Sequence, residues 1–218
     1  MSNPNGFPRR IDHGMVAAYN WQYGGSCPDL TENGNTGTLV GNAATSEGVL
    51  TLDGAGDYVT APVDISGYSA ITLTGWIQFD VIDGGSGDGA RLFSVKRSGA
   101  NDEIIRCGAT SSGVLFAVFD PGTTYGAATI TAVVGTWYFL SMVWSASGWS
   151  MRLDNSEFSS GADSFNLSLA EGTFYIGKNS WTTTQDHDGD IGETRIYNRA
   201  LTADEITDIY NDMRGDYP

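Results

Sequence analysis

The clearest pattern in the chain is the alternation of side chains over residues 71–79. Positions 71, 73, 77 and 79 are Ile, Leu, Ile and Phe, with Gly75 between them, and the intervening positions carry Thr, Thr, Trp and Gln. A period of two places every second side chain on the same face of a β-strand. This stretch therefore predicts a strand with one face turned to the core. Shorter runs of the same kind predict further strands at 15–21, 49–52, 58–63, 92–95, 103–107, 114–119, 137–144, 149–153, 164–169, 174–177 and 191–197.

The end of the chain predicts a helix that begins at a capping box. Thr202 and Glu205 stand three residues apart, so each side chain can bond the backbone N–H of the other. The apolar residues behind this cap recur at helical spacing and form one stripe: they are Ile206, Ile209, Tyr210 and Met213. We therefore expect a short helix that packs on a sheet and has a structural role.

The composition favours a single β-domain, either a sandwich or a barrel. The chain has 218 residues, 29 of them glycine, and its 40% hydrophobic content is enough to bury a core. Short strands separated by turns, with one helix at the end, are typical of an all-β fold, either a sandwich of two antiparallel sheets or a barrel. Residues 1–14 are polar and contain two prolines, which predicts an extended N-terminal arm. Residues 15–218 then form a single domain.

The net charge of −15 disfavours two classes of partner. Nucleic acids and anionic lipid surfaces would both repel such a chain.

No apolar run approaches the roughly 18 residues that a membrane-spanning helix needs, so we expect no membrane insertion. The N-terminus lacks the apolar segment of a signal peptide, which favours a cytosolically made protein over a trimmed secreted one. Cys27 and Cys107 form either one disulfide or two free thiols, and we favour free thiols.

Several motifs, in a shared order, carry a family resemblance. They are DGAGDYV at 53–59, ITLTGWI at 71–77, GTWY at 135–138, YIG at 175–177 and the closing stretch GDIGETRIYNRALTADEI at 189–206. Together they resemble the laminin-G-like and pentraxin-like modules, a branch of the concanavalin A-like jelly rolls. The resemblance implies a jelly-roll sandwich over nearly the whole chain. It also implies a module that binds rather than catalyses.

The same resemblance implies a metal site. Residues 92–105 resemble the segment in which pentraxins place an Asp-Asn pair on calcium, and here Asn101 and Asp102 take those positions. The acidic and amide cluster that completes the pentraxin site is replaced here by Lys178, Asn179 and Ser180, and Gly192 stands where many relatives carry Asp. The two-calcium site is therefore not expected, but one weaker Ca²⁺ at Asn101 and Asp102 is.

Catalytic motifs are missing from the sequence. It contains no E-x-D-x-E of the jelly-roll glucanases, no G-x-S-x-G and no H-E-x-x-H. Glu103 and Glu193 are the candidate glycosidase carboxylates only by elimination. The acidic run at 186–190 does not fit an EF-hand loop, and it is either a solvated turn or a different calcium loop. We therefore expect that the protein is not an enzyme.

Aromatic side chains in polar loops are the candidates for sugar binding, because sugar C–H faces stack on rings. Trp181 lies in the polar loop after residue 178, and Tyr125 lies between Gly122 and Gly126. We predict a ligand site formed by Trp181, Asn179, Lys178 and Tyr125. The alternative is that Trp181 caps the core at a sheet edge. The tryptophans at 76, 137, 144 and 149 are better explained as core.

The favoured function is a structural and binding protein on the surface of a virion. Laminin-G-like domains with this ending are familiar in phage virion proteins, so the resemblance implies a capsid decoration or tail protein with a lectin-like face. Its partners would be other virion proteins or a surface glycan, and the polar arm fits a homo-oligomer that docks on a larger assembly. The alternative is an extracellular carbohydrate-binding or adhesion module. A glycoside hydrolase is less favoured.

Overall fold

The computed structural model describes residues 12–82, 90–100, 103–119, 127–162, 167–180 and 186–217. Its β-strands are β1 Met15–Tyr19, β2 Thr38–Val40, β3 Ala44–Ser46, β4 Val49–Asp53, β5 Tyr58–Ala61, β6 Ala70–Phe79, β7 Arg91–Arg97, β8 Glu103–Ala109, β9 Val114–Phe119, β10 Ala127–Thr131, β11 Tyr138–Ser145, β12 Gly148–Leu153, β13 Ser156–Gly161, β14 Ala170–Ile176 and β15 Asp188–Tyr197. Helix α1 is Ala203–Met213, and a short 3-10 turn spans Leu167–Leu169.

The described strands form two antiparallel sheets. The first sheet has the order β13-β12-β11-β6-β15-β4-β3, and β1 also pairs with β15. The second sheet has the order β10-β9-β8-β7-β14-β5-β2. Consecutive pairings in both sheets are antiparallel, as in β6 with β15 and β7 with β8. The prediction of an all-β, two-sheet sandwich with a C-terminal helix is confirmed.

The main core lies between the inner faces of the two sheets. Ile71, Leu73 and Ile77 of β6 are fully buried, and so are Phe93 and Phe174 of the second sheet. Alternation along each strand sends these apolar residues inward. Packing is tight at Gly75, because a Cβ there would lie 3.1 Å from Cζ of Phe93 and the ring would have to shift to admit it.

The outer face of the first sheet is also buried, because α1 and the residues after it pack on it. The ring of Trp76 stacks on Tyr210 and Tyr217, with centroids 5.6 and 5.1 Å away, and lies 5.3 Å from Phe139. The predicted capping box is present, with Thr202 and Glu205 bonding each other's backbone. Trp76 is therefore a core residue, as predicted, but of a second core beneath the helix.

The helix-side packing also explains one glycine of the closing motif. A Cβ on Gly192 would lie 2.8 Å from Cβ of Trp76 and 2.5 Å from the ring of Tyr217. Such contacts are too short for any larger residue. Glycine is thus needed at position 192 for Tyr217 to reach the sheet.

Some predicted elements differ from the structure. The predicted strand at 164–169 is wrong where it can be compared, because Leu167–Leu169 form a 3-10 turn. Three described strands lack an apolar pattern that would predict them. Thr38–Val40 and Ala44–Ser46 have three residues each, too few to show alternation, and Ser156–Gly161 is a polar edge strand. Strand β10 was also not predicted.

Cys27 and Cys107 are free thiols, and both are buried. Burial raises the pKa of Cys27 to about 11 and that of Cys107 to about 12.

Within the described ranges, no helix is both long and apolar enough to cross a bilayer. Most of the predicted arm, residues 1–11, lies outside the described residues. His13 and Gly14 contact the domain, with their carbonyl groups accepting bonds from Arg199 and Asn198.

Candidate functional site

The chain that follows β14 turns back across the outer face of the second sheet. Gly177 has a φ of +83°, a conformation that favours glycine, and its N–H donates to the carbonyl of Leu92. The N–H of His187 donates to the carbonyl of Gly177 at 2.7 Å, so the two ends of this loop lie together. Ser94, which points away from the core on β7, donates its hydroxyl to the carbonyl of Lys178 at 2.6 Å.

Residues 178–180, here called the crossing segment, are pinned a second time at Glu103. The N–H and the hydroxyl of Ser180 both donate to Oε1 of Glu103, at 3.0 and 3.3 Å. The other carboxylate oxygen of Glu103 lies 3.3 Å from Nε of Arg91 and 3.9 Å from Arg106. Burial raises the pKa of Glu103, and Arg91 opposes that shift. The guanidinium of Arg91 also lies over the ring of Phe116 at 5.1 Å.

Two tyrosines and a lysine lie beside the crossing segment. The rings of Tyr58 on β5 and Tyr175 on β14 are 6.1 Å apart, and both side chains are half-buried. The ammonium nitrogen of Lys178 lies 4.4 Å from the centroid of the Tyr58 ring and 3.3 Å from Oδ1 of Asp186. We call Tyr58, Tyr175 and Lys178 the tyrosine platform. It combines aromatic surface with hydroxyl and ammonium donors.

The strand register extends the platform into a polar row. Tyr175 lies opposite Ser94 on one side and Thr60 on the other. Thr60 in turn lies opposite Thr38, and Ser94 lies opposite Arg106. Directly opposed side chains on one face are about 5 Å apart, so Thr60 and Thr38 place hydroxyl groups beside the rings on the β5 side, whereas Ser94 on the β7 side is buried under the crossing segment.

The predicted ligand residues fall in different places. Lys178 belongs to the platform, whereas Asn179 is fully buried in the crossing segment. Trp181, Tyr125, Asn101 and Asp102 lie outside the described residues, so these predictions remain predictions. Sequence reasoning missed Tyr58 and Tyr175. The sequence of β5 carried a signal for Tyr58. The apolar residues Val59 and Ala61, which are buried, alternate with Tyr58 and Thr60, so Tyr58 was expected on the outer face.

The two candidate glycosidase carboxylates do not come together. Glu103 is on the outer face of the second sheet, whereas Glu193 is on β15 of the first sheet. The carboxylate of Glu193 accepts from Nε of Arg195 at 2.6 Å, and its backbone N–H donates to the hydroxyl of Tyr217. A glycosidase pair needs separations of roughly 5 to 9.5 Å across one cleft. The packed sandwich between these residues rules out that arrangement.

An acidic edge, formed by Asp53, Asp57 and Asp188, lies at the turn that joins β4 to β5. Asp53 and Asp188 are opposed in the β4–β15 register, and Asp57 directly precedes Tyr58. The pKa of Asp188 is raised, mainly by burial and then by the charges of Asp80 and Asp53. The pKa of Asp53 is lowered, mainly by a hydrogen bond from Asn42. In the described portion of the chain, no three His, Cys, Asp or Glu side chains are grouped so as to hold a metal.

His187 lies beneath this acidic edge and is fully buried. Its ring meets the ring of Phe79 edge-on, with centroids 5.2 Å apart. Burial lowers the pKa of His187 to about 4, so the imidazole is neutral near neutral pH. This placement makes His187 part of the packing rather than a ligand-contacting group.

A cavity of about 370 Å³ lies on the helix side of the molecule. It forms where the neighbour on one side of β15 changes from β4 to β1. At the same place the pairing of β15 with β6, on its other side, has a register shift between Ile191 and Thr194. Its lining residues are Asn20, Gln22, Glu47, Gly48, Glu193, Asp216 and Tyr217. Tyr217 fills its base, accepting from the N–H of Glu193 at 2.7 Å and donating to the carbonyl of Gly48.

Several solved structures share this fold. Trypanosoma rangeli sialidase in complex with sialic acid matches with a TM-score of 0.75 and 17% identity, over 100% of this chain and 36% of the sialidase. Domain 4 of AbnA, a GH43 extracellular arabinanase from Geobacillus stearothermophilus, in complex with arabinotriose, matches with a TM-score of 0.67 and 20% identity. That match covers 90% of this chain and 98% of the domain.

A third structure is the binding domain of botulinum neurotoxin DC in complex with SialylT. It matches with a TM-score of 0.66 and 11% identity, over 93% of this chain and 52% of that one. The chain thus spans about a third of the sialidase and about half of the neurotoxin domain. At these identities the likeness shows the fold alone.

Sequence comparison identifies the family. No curated protein sequence matches the chain significantly. The laminin G type profile described as the concanavalin A-like lectin/glucanases superfamily matches residues 53–207, which is most of the chain. That span runs from the turn before the tyrosine platform to the middle of α1. The chain is therefore a member of the concanavalin A-like lectin/glucanases superfamily, with a laminin-G-like jelly roll.

Proposed function

We propose that this domain is a non-catalytic glycan-binding module and that the tyrosine platform is its binding face. The observation that carries the proposal is the pair of half-buried rings of Tyr58 and Tyr175, 6.1 Å apart, with the ammonium of Lys178 over one of them. Sugar rings present C–H faces that stack on aromatic rings. The hydroxyl groups at the edge of a sugar would meet the hydroxyls of the tyrosines and Thr60.

Structures with the same fold support this proposal. The sialidase is in complex with sialic acid, the arabinanase domain with arabinotriose and the neurotoxin domain with SialylT. The arabinanase domain supports it most directly, because almost the whole of that domain aligns with this chain. The activity of the sialidase is not proposed for this chain, which spans only about a third of it.

The non-catalytic part of the proposal is supported by the carboxylates. Glu103 and Glu193 lie on different sheets, and each contacts an arginine, at 3.3 and 2.6 Å. The contacted oxygens of each carboxylate are thereby directed at protein groups rather than at a bound sugar. Hydrolysis of a glycoside needs one acid and one base or nucleophile facing each other, and this pair cannot supply them.

The experiment is a glycan array followed by calorimetric titration of the wild type, Tyr58→Ala and Tyr175→Ala. Each substitution should weaken binding about tenfold, since a stacked ring contributes roughly 1 kcal/mol beyond its buried area. Tyr23→Ala is the matched control, because Tyr23 is exposed and lies outside the platform. Absence of binding across the array, or equal losses in Tyr23→Ala, would contradict the proposal.

We further propose that the module is displayed on a virion surface as a decoration or tail protein. The closing motif at 189–206, which carries that resemblance, forms β15 and the capped start of α1. Co-elution of the purified chain with empty particles would support this location. Glycan binding without any association with particles would favour the alternative, an extracellular adhesion module.

Calcium binding at Asn101 and Asp102 also remains a proposal. It is supported by the pentraxin-like sequence that joins β7 to β8, where these two residues lie. Calorimetric titration with Ca²⁺ should give heat with the wild type and none with Asp102→Ala. Identical traces would remove the site.

A further inference from the structure

The cation of the tyrosine platform already has an anionic partner. The ammonium nitrogen of Lys178 is 3.3 Å from Oδ1 of Asp186, and the two side chains are 12% and 1% exposed. The attraction between opposite charges strengthens as water is excluded, so this pair persists in the unbound protein. A carboxylate-bearing sugar that approached Lys178 would therefore meet a neutralised charge.

The other described cations of this face are paired in the same way. Lys96 lies 3.5 Å from Glu171, and Arg91 is fully buried against Glu103. Arg106 lies beyond Ser94 in the cross-strand row, and Ser94 is covered by the crossing segment. Arg106 is therefore separated from the platform rings by residues 178–180 and cannot compensate for the neutralised Lys178.

Carboxylates also lie along the strands that carry the platform rings. Asp57 directly precedes Tyr58, and Glu171, which pairs with Lys96, contributes after burial and Tyr58 to the raised pKa of the Tyr175 phenol. The chain as a whole carries a net charge of −15. An acidic sugar would lose the strong hydration of its carboxylate and would be repelled by these groups, whereas a neutral sugar would lose only the weaker hydration of its hydroxyl groups.

We infer that the platform selects neutral glycans over carboxylate-bearing ones, and that Asp186 is the residue that sets this specificity. The inference rests on the proposed glycan-binding function of the platform. Asp186 acts by holding the ammonium group of Lys178, which thereby donates to sugar hydroxyls without attracting a sugar carboxylate. This selectivity differs from the sialylated ligands in two of the similar structures.

The test uses matched probes, namely lactose against sialyllactose and arabinotriose against trigalacturonate. Wild-type protein should bind at least one neutral probe about tenfold more tightly than its acidic counterpart. Asp186→Asn keeps the shape and removes the charge, so it should strengthen binding of the acidic probe about tenfold and leave the neutral probe nearly unchanged. Adding Lys178→Gln to that variant should abolish the gain.

Asp190→Asn is the charge-matched control, because the carboxylate of Asp190 accepts from the hydroxyl of Thr51 rather than from Lys178. It should leave the preference for the neutral probe unchanged. Equal or tighter wild-type binding of the acidic probes would overturn the inference and leave the proposed function standing. If neither series binds to the wild type or any variant, the inference and the proposed function both fall.

Discussion

The two sheets of the sandwich have outer faces with different roles. On the first sheet, the outward side chain of Trp76 is 3% exposed beneath α1 and the residues after it. On the second sheet, Tyr58 and Tyr175 stay half-exposed, and the crossing segment lies over their neighbours on β7 and β8. Equivalent outward positions thus serve stability on one side and remain available for contact on the other.

The chemistry of the covering contacts explains this difference. Trp76 has three aromatic rings within 5.6 Å, an arrangement that excludes water and adds to folding stability. The crossing segment is held instead by hydrogen bonds from Ser94 and to Glu103. Polar contacts of this kind position a loop with little net gain in stability. Substitutions on the two faces should therefore separate stability from binding.

The largest effect is expected from Trp76→Ala. Removing a ring that contacts Phe139, Tyr210 and Tyr217 should lower the free energy of unfolding by about 4 kcal/mol, measured by urea denaturation. The folded fraction should keep its glycan affinity, because Trp76 is on the other sheet. Tyr58→Ala is the reciprocal control and should cost less than about 1 kcal/mol of stability. Loss of affinity in folded Trp76→Ala would break the separation of the two faces.

The next largest effect is expected from Glu103→Ala, which should lower both the free energy of unfolding and the affinity for the glycan. It leaves Arg91 buried without its carboxylate, so the free energy of unfolding should fall by about 3 kcal/mol. It also removes the acceptor for both donors of Ser180, so the crossing segment and Lys178 should lose their fixed position and glycan affinity should fall.

Glu103→Gln is the matched control for that substitution. The glutamine carbonyl can still accept from Ser180, so affinity should return towards the wild-type value although the ion pair with Arg91 is lost. Equal affinity losses in the two variants would show that the charge, rather than the pinning of the segment, supports the platform.

The smallest effect concerns pH and the anchor of α1. Arg199 bonds both carboxylate oxygens of Glu205 and is the main reason that the pKa of Glu205 falls from its ordinary value of 4.5 to about 2. Because the folded-state pKa is the lower one, the stabilisation is present above the ordinary value and is lost as pH falls towards about 2. Glu205→Gln should lower the free energy of unfolding by about 2 kcal/mol near neutral pH, allowing for partial exposure.

Most of that loss should disappear when the unfolding is measured at a pH of about 2, where Glu205 is about half protonated in the folded state and almost fully protonated in the unfolded state. The pKa of Glu103, on the second sheet, shifts in the opposite direction, since burial raises it and favours the protonated form in the folded state. A Glu205→Gln effect that is the same at both pH values would remove the Arg199–Glu205 contact as the cause.

Much of the fold was predictable because it depends on local patterns. The alternation at 71–79, the capping box at Thr202 and the alternating strand predicted at 149–153 are short-range features, and each is present in the structure. The candidate site was only partly predictable. Lys178 was found because it directly precedes the polar loop that carries Trp181, whereas Tyr58 and Tyr175 stand 117 positions apart and meet only through the β5–β14 pairing.

By itself, the sequence determined the fold class, the family and the capped helix, because repeated spacings of apolar residues and caps act over a few positions. Only the tertiary structure decided which outer face is covered, that Glu103 and Glu193 lie on different sheets, and that Lys178 reaches both Tyr58 and Asp186. Those relations depend on strand order and on a loop that folds back over the sheet. Strand order joins residues distant along the chain, so no local spacing records it.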